Sequence, residues 1–379
     1  MTFSEFQRII RHMNTKLFKF SFLLALLISC SQIEIEPINS SENTQSPTES
    51  SQSNIEPKPV ESNPIEIDKK EEKKEVVAKI PPKIEHTPAV AAYCKKVDKY
   101  FEKYSWGKSH CENFQWNHVR NSFWGNPIVW HVFGDEKRVK TAPEKTTMIL
   151  CGVHGDEITP IKFCYDLLND LKNKPEITGD NLVVIAPIVA PDSFFRSQPT
   201  RTNARGVDAN RNFPTKDWDE KALKLWKHRY SSDKRRYPGK KAMSEQETYF
   251  QVNLINRYKP SKIISVHAPL TLIDYDGPDH TEHAGANQLL IQMSDKAGKY
   301  RINNYPFFPG SLGNWAGNER NIPTYTLELP NSDWTKTEKF YETFRTAIYH
   351  AIGQTLEQNS DQEKVSNSKE SKLDDDKVL

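Results

Sequence analysis

The stretch MILCGVHGDEITPIKFCYDLL, residues 148–168, contains the turn on which our interpretation of the fold depends. An apolar run stops at Gly152, and apolar residues resume at helical spacing from Ile158. The first part is typical of a buried strand and the second of an amphipathic helix. A plain turn between them would need neither a histidine nor acids, so His154 and Glu157 are candidates for a functional site.

Strands and helices alternate through the middle of the chain. Helical patterns follow or precede runs of strand character, and these runs lie at residues 127–134, 146–155, 181–191, 261–270 and 322–330. The helical patterns lie at residues 158–173, 244–258, 284–300 and 337–357. This order predicts an α/β fold with a mixed, largely parallel sheet sandwiched by helices. In such folds the functional residues gather just beyond the strand ends.

The N-terminal segment has the pattern of an export signal. Residues 1–29 contain lysines followed by a short apolar run, and the ending Leu-Ile-Ser-Cys30 resembles a bacterial lipobox. We predict a lipoprotein signal peptide over residues 1–29 and lipidation of Cys30. The protein is then expected in the cell envelope, anchored on the periplasmic side of a bacterial membrane, with the outer membrane favoured.

Composition divides the remaining chain. Residues 30–88 and 358–379 have too few large apolar residues to offset the entropy of ordering, so we predict a disordered tether and a disordered tail. Residues 125–357 are expected to form a single catalytic domain, and residues 89–124 its N-terminal extension. The 52 basic and 50 acidic residues are interspersed, which gives no support to nucleic-acid binding.

Four cysteines follow Cys30. Cys94 and Cys111 lie in the extension and could form a disulfide in an exported protein. Cys151 and Cys164 lie in an apolar strand and the helix after it, and we interpret both as core thiols.

Polar residues at three predicted strand ends are of the types that a zinc hydrolase uses. His154 and Glu157 follow the first strand, His267 ends the run IISVH, and Glu328 lies in the run YTLELP. A zinc hydrolase needs three protein ligands, an open position for water and a nearby carboxylate. A buried carboxylate such as Glu328 also needs a partner or a role, because its desolvation is costly.

The segment RTNARGVDANRNFP, residues 201–214, adds arginines. Guanidinium groups bind carboxylates through two parallel hydrogen bonds. The part RTNARG alone would be interpreted as a surface turn, but the whole segment follows a recognisable family pattern.

Together these motifs resemble the M14-type zinc carboxypeptidases. The resemblance covers about residues 125–350 and rests on His154-Gly-Asp-Glu157, on residues 201–213, on Ser-Val-His267 and on Leu-Glu328-Leu. Within the family the chain looks most like the bacterial murein peptide amidases, which cleave the bond from γ-D-glutamate to diaminopimelate in cell-wall peptides. The segments NARGVDANRNFP and GSLGNWAG carry that finer likeness.

The resemblance implies one zinc ion held by His154, Glu157 and His267. It implies that Glu328 is the general base and then the proton donor to the leaving amine. Arg201 matches the family arginine that stabilises the oxyanion.

Further positions follow from the same resemblance. Asn210 and Arg211 match the pair that binds the substrate's terminal carboxylate, and we interpret Asp208 as a residue that orients a neighbour. The digestive enzymes of the family carry a mobile tyrosine that cannot be aligned here. In the family this tyrosine lies between the third ligand and the catalytic glutamate. The corresponding interval here, from His267 to Glu328, contains Tyr275, Tyr300 and Tyr305.

We therefore expect a zinc metallocarboxypeptidase that hydrolyses peptidoglycan stem peptides, at the bond from γ-D-glutamate to diaminopimelate or at a C-terminal residue. Its partners would be a peptidoglycan-derived peptide and, through the lipid anchor, a membrane, and it is expected to be a monomer. Two alternatives stay open: a deacylase similar to aspartoacylase or succinylglutamate desuccinylase, and a non-catalytic lipoprotein that binds the cell wall.

Overall fold

The computed structural model describes residues 84–278 and 283–356. The predicted signal peptide with Cys30, most of the predicted tether and the predicted tail from residue 358 lie outside the described residues. No helix within the two described ranges combines the length and the hydropathy that a membrane span requires.

Eight strands of the described residues form one mixed sheet. In chain order they are β1 (Asn117–Asn121), β2 (Pro127–Phe133), β3 (Thr146–Leu150), β4 (Leu182–Ala186), β5 (Lys262–His267), β6 (Leu272–Asp276), β7 (Ile302–Asn303) and β8 (Thr324–Glu328). Their order across the sheet is β1-β2-β4-β3-β5-β8-β6-β7. The four central strands β4, β3, β5 and β8 run parallel, and β2 and β6 flank them in the antiparallel direction. The predicted mixed, largely parallel sheet is confirmed.

Helices cover both faces of this sheet. They are α1 (Pro88–Lys103), α2 (Arg138–Thr141), α3 (Ile158–Asn173), α4 (Pro191–Phe194), α5 (Leu223–His228), α6 (Gln246–Tyr258), α7 (Ala284–Lys296) and α8 (Thr337–Gly353). Helices α1, α3, α7 and α8 enclose the larger apolar core on one face. Helix α6 and a π-helical turn, Gly313–Asn318, enclose a second core on the other face.

The predicted strands are present, but the central ones are shorter than their apolar runs. Strand β3 ends at Leu150, where its ladder with β4 also ends at Ala186. Strand β5 ends at His267. The residues after these strands stay buried although their backbone leaves the ladder, so hydrophobicity alone did not reveal the ends.

The extension and the region between His267 and Glu328 hold elements that the sequence did not reveal. Residues 89–124 contain most of α1 and all of β1, which pairs with β2 at one edge of the sheet. Strands β6 and β7 lie at the other edge. Strand β6 contains two aspartates, and β7 has only two residues, so neither shows an apolar pattern.

Both cysteine pairs of the described domain are disulfide-bonded. Cys94 and Cys111 are joined, with their Cα atoms 5.3 Å apart. Cys151 and Cys164 are also joined, with a Cα separation of 6.4 Å, so the interpretation of these two as core thiols is wrong. The reason is geometric: α3 folds back over the end of β3 and brings Cys164 within bonding reach of Cys151.

Candidate active site

The three predicted metal ligands meet at the carboxyl edge of the parallel strands. His154 lies in the turn after β3, Glu157 directly precedes α3, and His267 is the last residue of β5. One ligand atom from each lies within 4.8 Å of the others. All three residues are buried, and β3 and β5 are parallel neighbours, which explains why residues 110 positions apart converge.

The donor atoms of this group face one another. The Nδ1 atom of His154 lies 2.8 Å from Glu157 Oε1, and the Nδ1 atom of His267 lies 2.7 Å from Glu157 Oε2. Burial opposes the charge of Glu157, but the two imidazoles outweigh it and hold the pKa of this carboxyl well below its ordinary value. Two imidazole nitrogens and one carboxylate form the donor set of a catalytic zinc site with an open position. The residues therefore fit a zinc ion.

Glycine is required in the turn that carries these ligands. A Cβ atom on Gly155 would lie 2.2 Å from the backbone carbon of Ser193. The turn thus approaches the backbone at α4 too closely for any side chain. This contact fixes the turn between His154 and Glu157 against a rigid neighbour.

Asp208 orients two of the site residues. Its carboxylate is fully buried, and Oδ1 accepts a hydrogen bond from His154 Nε2 at 3.0 Å. Oδ2 accepts a hydrogen bond from Arg201 Nε at 2.9 Å. A proton on Nε2 leaves Nδ1 of His154 with its lone pair towards Glu157, which is the tautomer that a metal ligand needs.

Glu328 lies beside the ligand group at the end of β8. It pairs in register with His267 across the β5–β8 ladder. The Oε2 atom accepts a hydrogen bond from the backbone N–H of Leu270 at 3.3 Å. Burial raises the pKa of Glu328, His267 offsets part of this effect, and the negative charge of Glu157 adds to it. A half-buried carboxylate with a raised pKa suits proton transfer near neutral pH.

Arg201 lies against the ligand group. Its Nη1 atom donates to Glu157 Oε1 at 3.0 Å, while its Nε atom donates to Asp208. The guanidinium therefore places a positive charge directly beside the ligand group.

Asn210 and Arg211 lie on the same short 3₁₀ helix, Ala209–Arg211. The Asn210 Oδ1 atom accepts a hydrogen bond from the backbone N–H of Leu312 at 2.8 Å. The Arg211 guanidinium carbon lies 5.0 Å from the centre of the Phe308 ring. Its buried Nε has no hydrogen-bond partner among the described residues, which leaves a donor for an anionic group. Sequence reasoning missed Phe308, because nothing in its local pattern indicates stacking with Arg211.

The three tyrosines between His267 and Glu328 that were candidates for the family's mobile tyrosine lie in different places. The Tyr300 hydroxyl donates to the backbone carbonyl of Glu328 at 2.8 Å. The Tyr275 hydroxyl donates to the carbonyl of Pro278, and the side chain of Tyr305 is exposed. We assign the role of the family's mobile tyrosine to none of them.

Comparisons with known proteins agree with this geometry. Residues 107–362 match the Peptidase_M14 family model, described as zinc carboxypeptidase. Murein peptide amidase A of Vibrio campbellii is 32% identical over 209 residues, covering 54% of this chain and 77% of the relative. Murein peptide amidase A of Escherichia coli K12 is 30% identical over 218 residues, covering 56% of this chain and 80% of the relative. The crystal structure of carboxypeptidase A from Helicoverpa armigera is similar in fold, with a TM-score of 0.52 at 18% identity over 70% of this chain and 73% of that chain.

Proposed function

This chain belongs to the M14 family of zinc carboxypeptidases, and from that premise we propose that it hydrolyses peptide bonds in peptidoglycan stem peptides. Two relatives at about 30% identity, each covered over more than three-quarters of its length, are named murein peptide amidases. The observation that carries the proposal is the convergence of His154, Glu157 and His267 beside the carboxylate of Glu328.

The metal centre is the first part of the proposal. His154, Glu157 and His267 would hold one zinc ion, in agreement with their donor set and burial. Zinc, when bound, acts as a Lewis acid and lowers the pKa of a coordinated water to about 7.

The chain's own residues supply the proton transfers and the charge stabilisation. Glu328 takes a proton from the attacking water and later gives it to the leaving amine, a role that its raised pKa supports. Arg201 donates to the carbonyl oxygen as negative charge develops there. Asp208 keeps Arg201 in place through the hydrogen bond to its Nε.

Asn210 and Arg211 form what we call the carboxylate site, and this site would determine which end of a peptide is bound. Arg211 would pair with the terminal carboxylate of the substrate through its Nε–H, which has no partner within residues 84–278 and 283–356, and the Asn210 amide would donate a further hydrogen bond. A peptide held in this way presents the bond before its terminal residue to Glu328. The scissile bond would then be the one from γ-D-glutamate to the third stem residue, in a tripeptide with a free carboxyl end.

Defined muropeptides test this function. The purified full-length chain in detergent is incubated with a tripeptide stem, a tetrapeptide stem and an N-acyl amino acid, with and without a chelator, and the products are identified by mass spectrometry. We expect chelator-sensitive release of the third residue from the tripeptide. Cleavage of the N-acyl amino acid alone would favour the deacylase alternative, and the absence of any cleavage by the zinc-loaded chain would favour the non-catalytic one.

The envelope location is a separate proposal that rests on the sequence. The Leu-Ile-Ser-Cys30 ending and the long polar segment after it support a lipid anchor on the periplasmic side of a bacterial membrane. Cys30→Ser should move the protein from the membrane fraction to the soluble fraction. A variant that stays in the membrane fraction would contradict anchoring through this cysteine.

A further inference from the structure

A strongly basic stretch of the chain lies between the carboxylate site and helix α6 in the sequence. Residues 221–241, which we call the basic segment, contain nine lysines and arginines and a single acid, Asp233. The formal charge of this segment is therefore +8, whereas that of the whole chain is +2. All nine basic side chains are exposed. Basic and acidic residues thus balance over the whole chain but not over this part of its surface.

Most of these positive charges have no acidic partner. Three of the nine side chains form ion pairs with nearby aspartates, at Lys221, Arg235 and Arg236. The other six form no ion pair within residues 84–278 and 283–356, and they are Lys224, Lys227, Arg229, Lys234, Lys240 and Lys241. Like charges concentrated on one surface repel one another and attract an anionic partner.

The basic segment has a defined fold of its own. It contains α5 and a 3₁₀ turn, Lys234–Arg236. The indole N–H of Trp226 donates to the backbone carbonyl of Asp233 at 2.7 Å, and the Trp226 ring lies 4.8 Å from the ring of Tyr237. The backbone that carries the charges is therefore held in one arrangement, which lowers the entropy cost of binding a partner.

Two contacts join the basic segment to the surroundings of the metal ligands. The backbone N–H of Asp208 donates to the backbone carbonyl of Tyr237 at 2.9 Å. The Nη1 atom of Arg235 lies 2.7 Å from Oδ2 of Asp156, which directly precedes Glu157 in the chain. The basic segment thus lies beside the turn that carries two of the three ligands.

The basic segment also reaches the carboxylate site. The guanidinium carbon of Arg229 lies 5.9 Å from the centre of the Phe308 ring, and that of Arg211 lies 5.0 Å from the same centre. Burial lowers the pKa of Arg211, and the positive charge of Arg236 adds to this effect. The charge of the basic segment therefore acts on the residue that would bind the terminal carboxylate of the substrate.

We propose that the basic segment binds the carboxylates of neighbouring stem peptides in polymeric peptidoglycan, and so holds the polymer while one stem enters the active site. This inference rests on the proposed peptidase function. A γ-linked glutamate uses its side-chain carboxyl in the peptide and keeps its α-carboxylate free, so every stem brings a negative charge. Stems repeated along glycan strands form a polyanion, which complements a surface with a formal charge of +8 and binds it at several points at once.

An anionic membrane has the same sign of charge as this polymer, but the position of the basic segment favours the polymer. Through Arg235 and Arg229 the segment lies beside both the metal-ligand turn and the carboxylate site. A bilayer bound there would cover the residues that are to receive the substrate. A polymer bound there brings its own peptides to them.

Sedimentation with purified peptidoglycan sacculi tests the charge of the partner. The full-length protein carries Cys30→Ser to remove the predicted anchor and Glu328→Gln to keep the sacculi intact. The zinc-loaded protein should bind sacculi at low ionic strength. Binding should weaken at about 0.15 M salt, where the Debye length falls to about 8 Å, and should be lost when the carboxylates of the sacculi are amidated.

Substitution then assigns the binding to the basic segment. The test variant replaces three of the lysines without ion pairs, as Lys224→Gln, Lys227→Gln and Lys234→Gln. A control variant replaces three exposed lysines of α1 and α8, as Lys95→Gln, Lys99→Gln and Lys339→Gln. Each exposed ion pair lost at low salt weakens binding by up to about fivefold. The test variant should therefore bind sacculi roughly three- to a hundredfold more weakly, and the control variant should bind as the parent protein does.

Two further measurements separate the alternatives. With Glu328 restored, the test variant should hydrolyse a free tripeptide within about twofold of the parent rate at about 0.15 M salt, because its charges lie outside the catalytic residues. An equal loss of tripeptide hydrolysis would place the lysines in the active site itself and overturn the inference. The second measurement is sedimentation with phosphatidylglycerol vesicles, on which the test variant should lose less binding than on sacculi.

Four results would make the inference wrong and leave the peptidase function standing. They are no binding to sacculi, equal binding to amidated sacculi, equal binding by the test and control variants, and a loss that appears on vesicles but not on sacculi. The proposed function itself is judged separately, because it fails if the zinc-loaded wild type cleaves no muropeptide, whatever its binding to sacculi.

Discussion

Replacing Asp208 by asparagine tests how the structure holds its metal ligand. Asp208 is fully buried and accepts two hydrogen bonds, one from His154 Nε2 at 3.0 Å and one from Arg201 Nε at 2.9 Å. Asparagine has nearly the same shape but only one acceptor oxygen. Its amide NH₂ would face an N–H group on one of the two neighbours, so one of the two hydrogen bonds must be lost.

The loss of one hydrogen bond sets the expected size of the effect on zinc binding. A hydrogen bond to a charged group contributes about 1.5–3 kcal/mol. Since about 1.4 kcal/mol corresponds to a factor of ten, losing the bond to His154 should weaken zinc binding by roughly ten- to a hundredfold. Whichever bond is lost, either the tautomer of His154 or the position of Arg201 is no longer fixed. We therefore also expect a lower kcat/KM at saturating zinc.

Competition with a chromogenic chelator measures the zinc affinity, and peptide hydrolysis at saturating zinc measures the second effect. Asp156→Asn is a matched control, because Asp156 neighbours Glu157 in sequence but pairs with the exposed Arg235 at 2.7 Å. It should change the zinc affinity by less than about twofold, as expected for a surface ion pair. If Asp208→Asn binds zinc as tightly as the wild type and also hydrolyses the peptide with an unchanged kcat/KM, the orienting role that we give to Asp208 is wrong.

Three further variants test single residues. Glu328→Gln should retain zinc and lower kcat by about 10²–10⁴-fold, because only the proton-transfer group is lost, and full turnover would contradict its role. Burial raises the pKa of Glu247 to about 7, so this carboxyl binds a proton more tightly in the folded protein than in the unfolded chain, and its own contribution to the free energy of unfolding should fall by about 3 kcal/mol between pH 4.5 and 7. Glu247→Gln should remove this loss in urea unfolding at pH 4.5 and pH 8, and equal pH dependence in both proteins would refute it. Burial lowers the pKa of Lys262 to about 7, so the folded state carries a buried charge below pH 7. Lys262→Met should therefore be more stable than the wild type at pH 6, with an advantage that shrinks as the pH rises towards 10, and a constant difference would contradict this.

The metal ligands could be predicted from the sequence because their signals are local or depend only on strand direction. His154 and Glu157 lie in one turn between a strand and a helix that are both evident from hydrophobic periodicity. His267 and Glu328 end two further apolar runs. Parallel strands place their carboxyl ends along one edge of a sheet, so the convergence of these residues needs no knowledge of side-chain packing.

The second disulfide could not be predicted in the same way. Cys151 and Cys164 are separated by 13 residues, and each lies in an apolar environment that suits a free thiol as well as a bonded one. Whether they bond depends on the angle at which α3 crosses β3. The turn from His154 to Glu157, with the glycine that lets it approach Ser193, determines how the helix returns to the sheet.

The alignment of Ser265, Thr326 and Asp274 across three strands depends on register, which is the information that the sequence holds least directly. Ser265, Thr326 and Asp274 are far apart in the chain, and they align only because β8 lies between β5 and β6 with one particular pairing. A shift of one residue in β6 would turn both aspartates to the opposite, apolar face, where two buried carboxylates would be strongly destabilising. The hydrophobic residue between them, Tyr275, packs against Tyr325 on that opposite face and so opposes such a shift. The same alternation thus turns both carboxylates to the face of the sheet that carries Glu328.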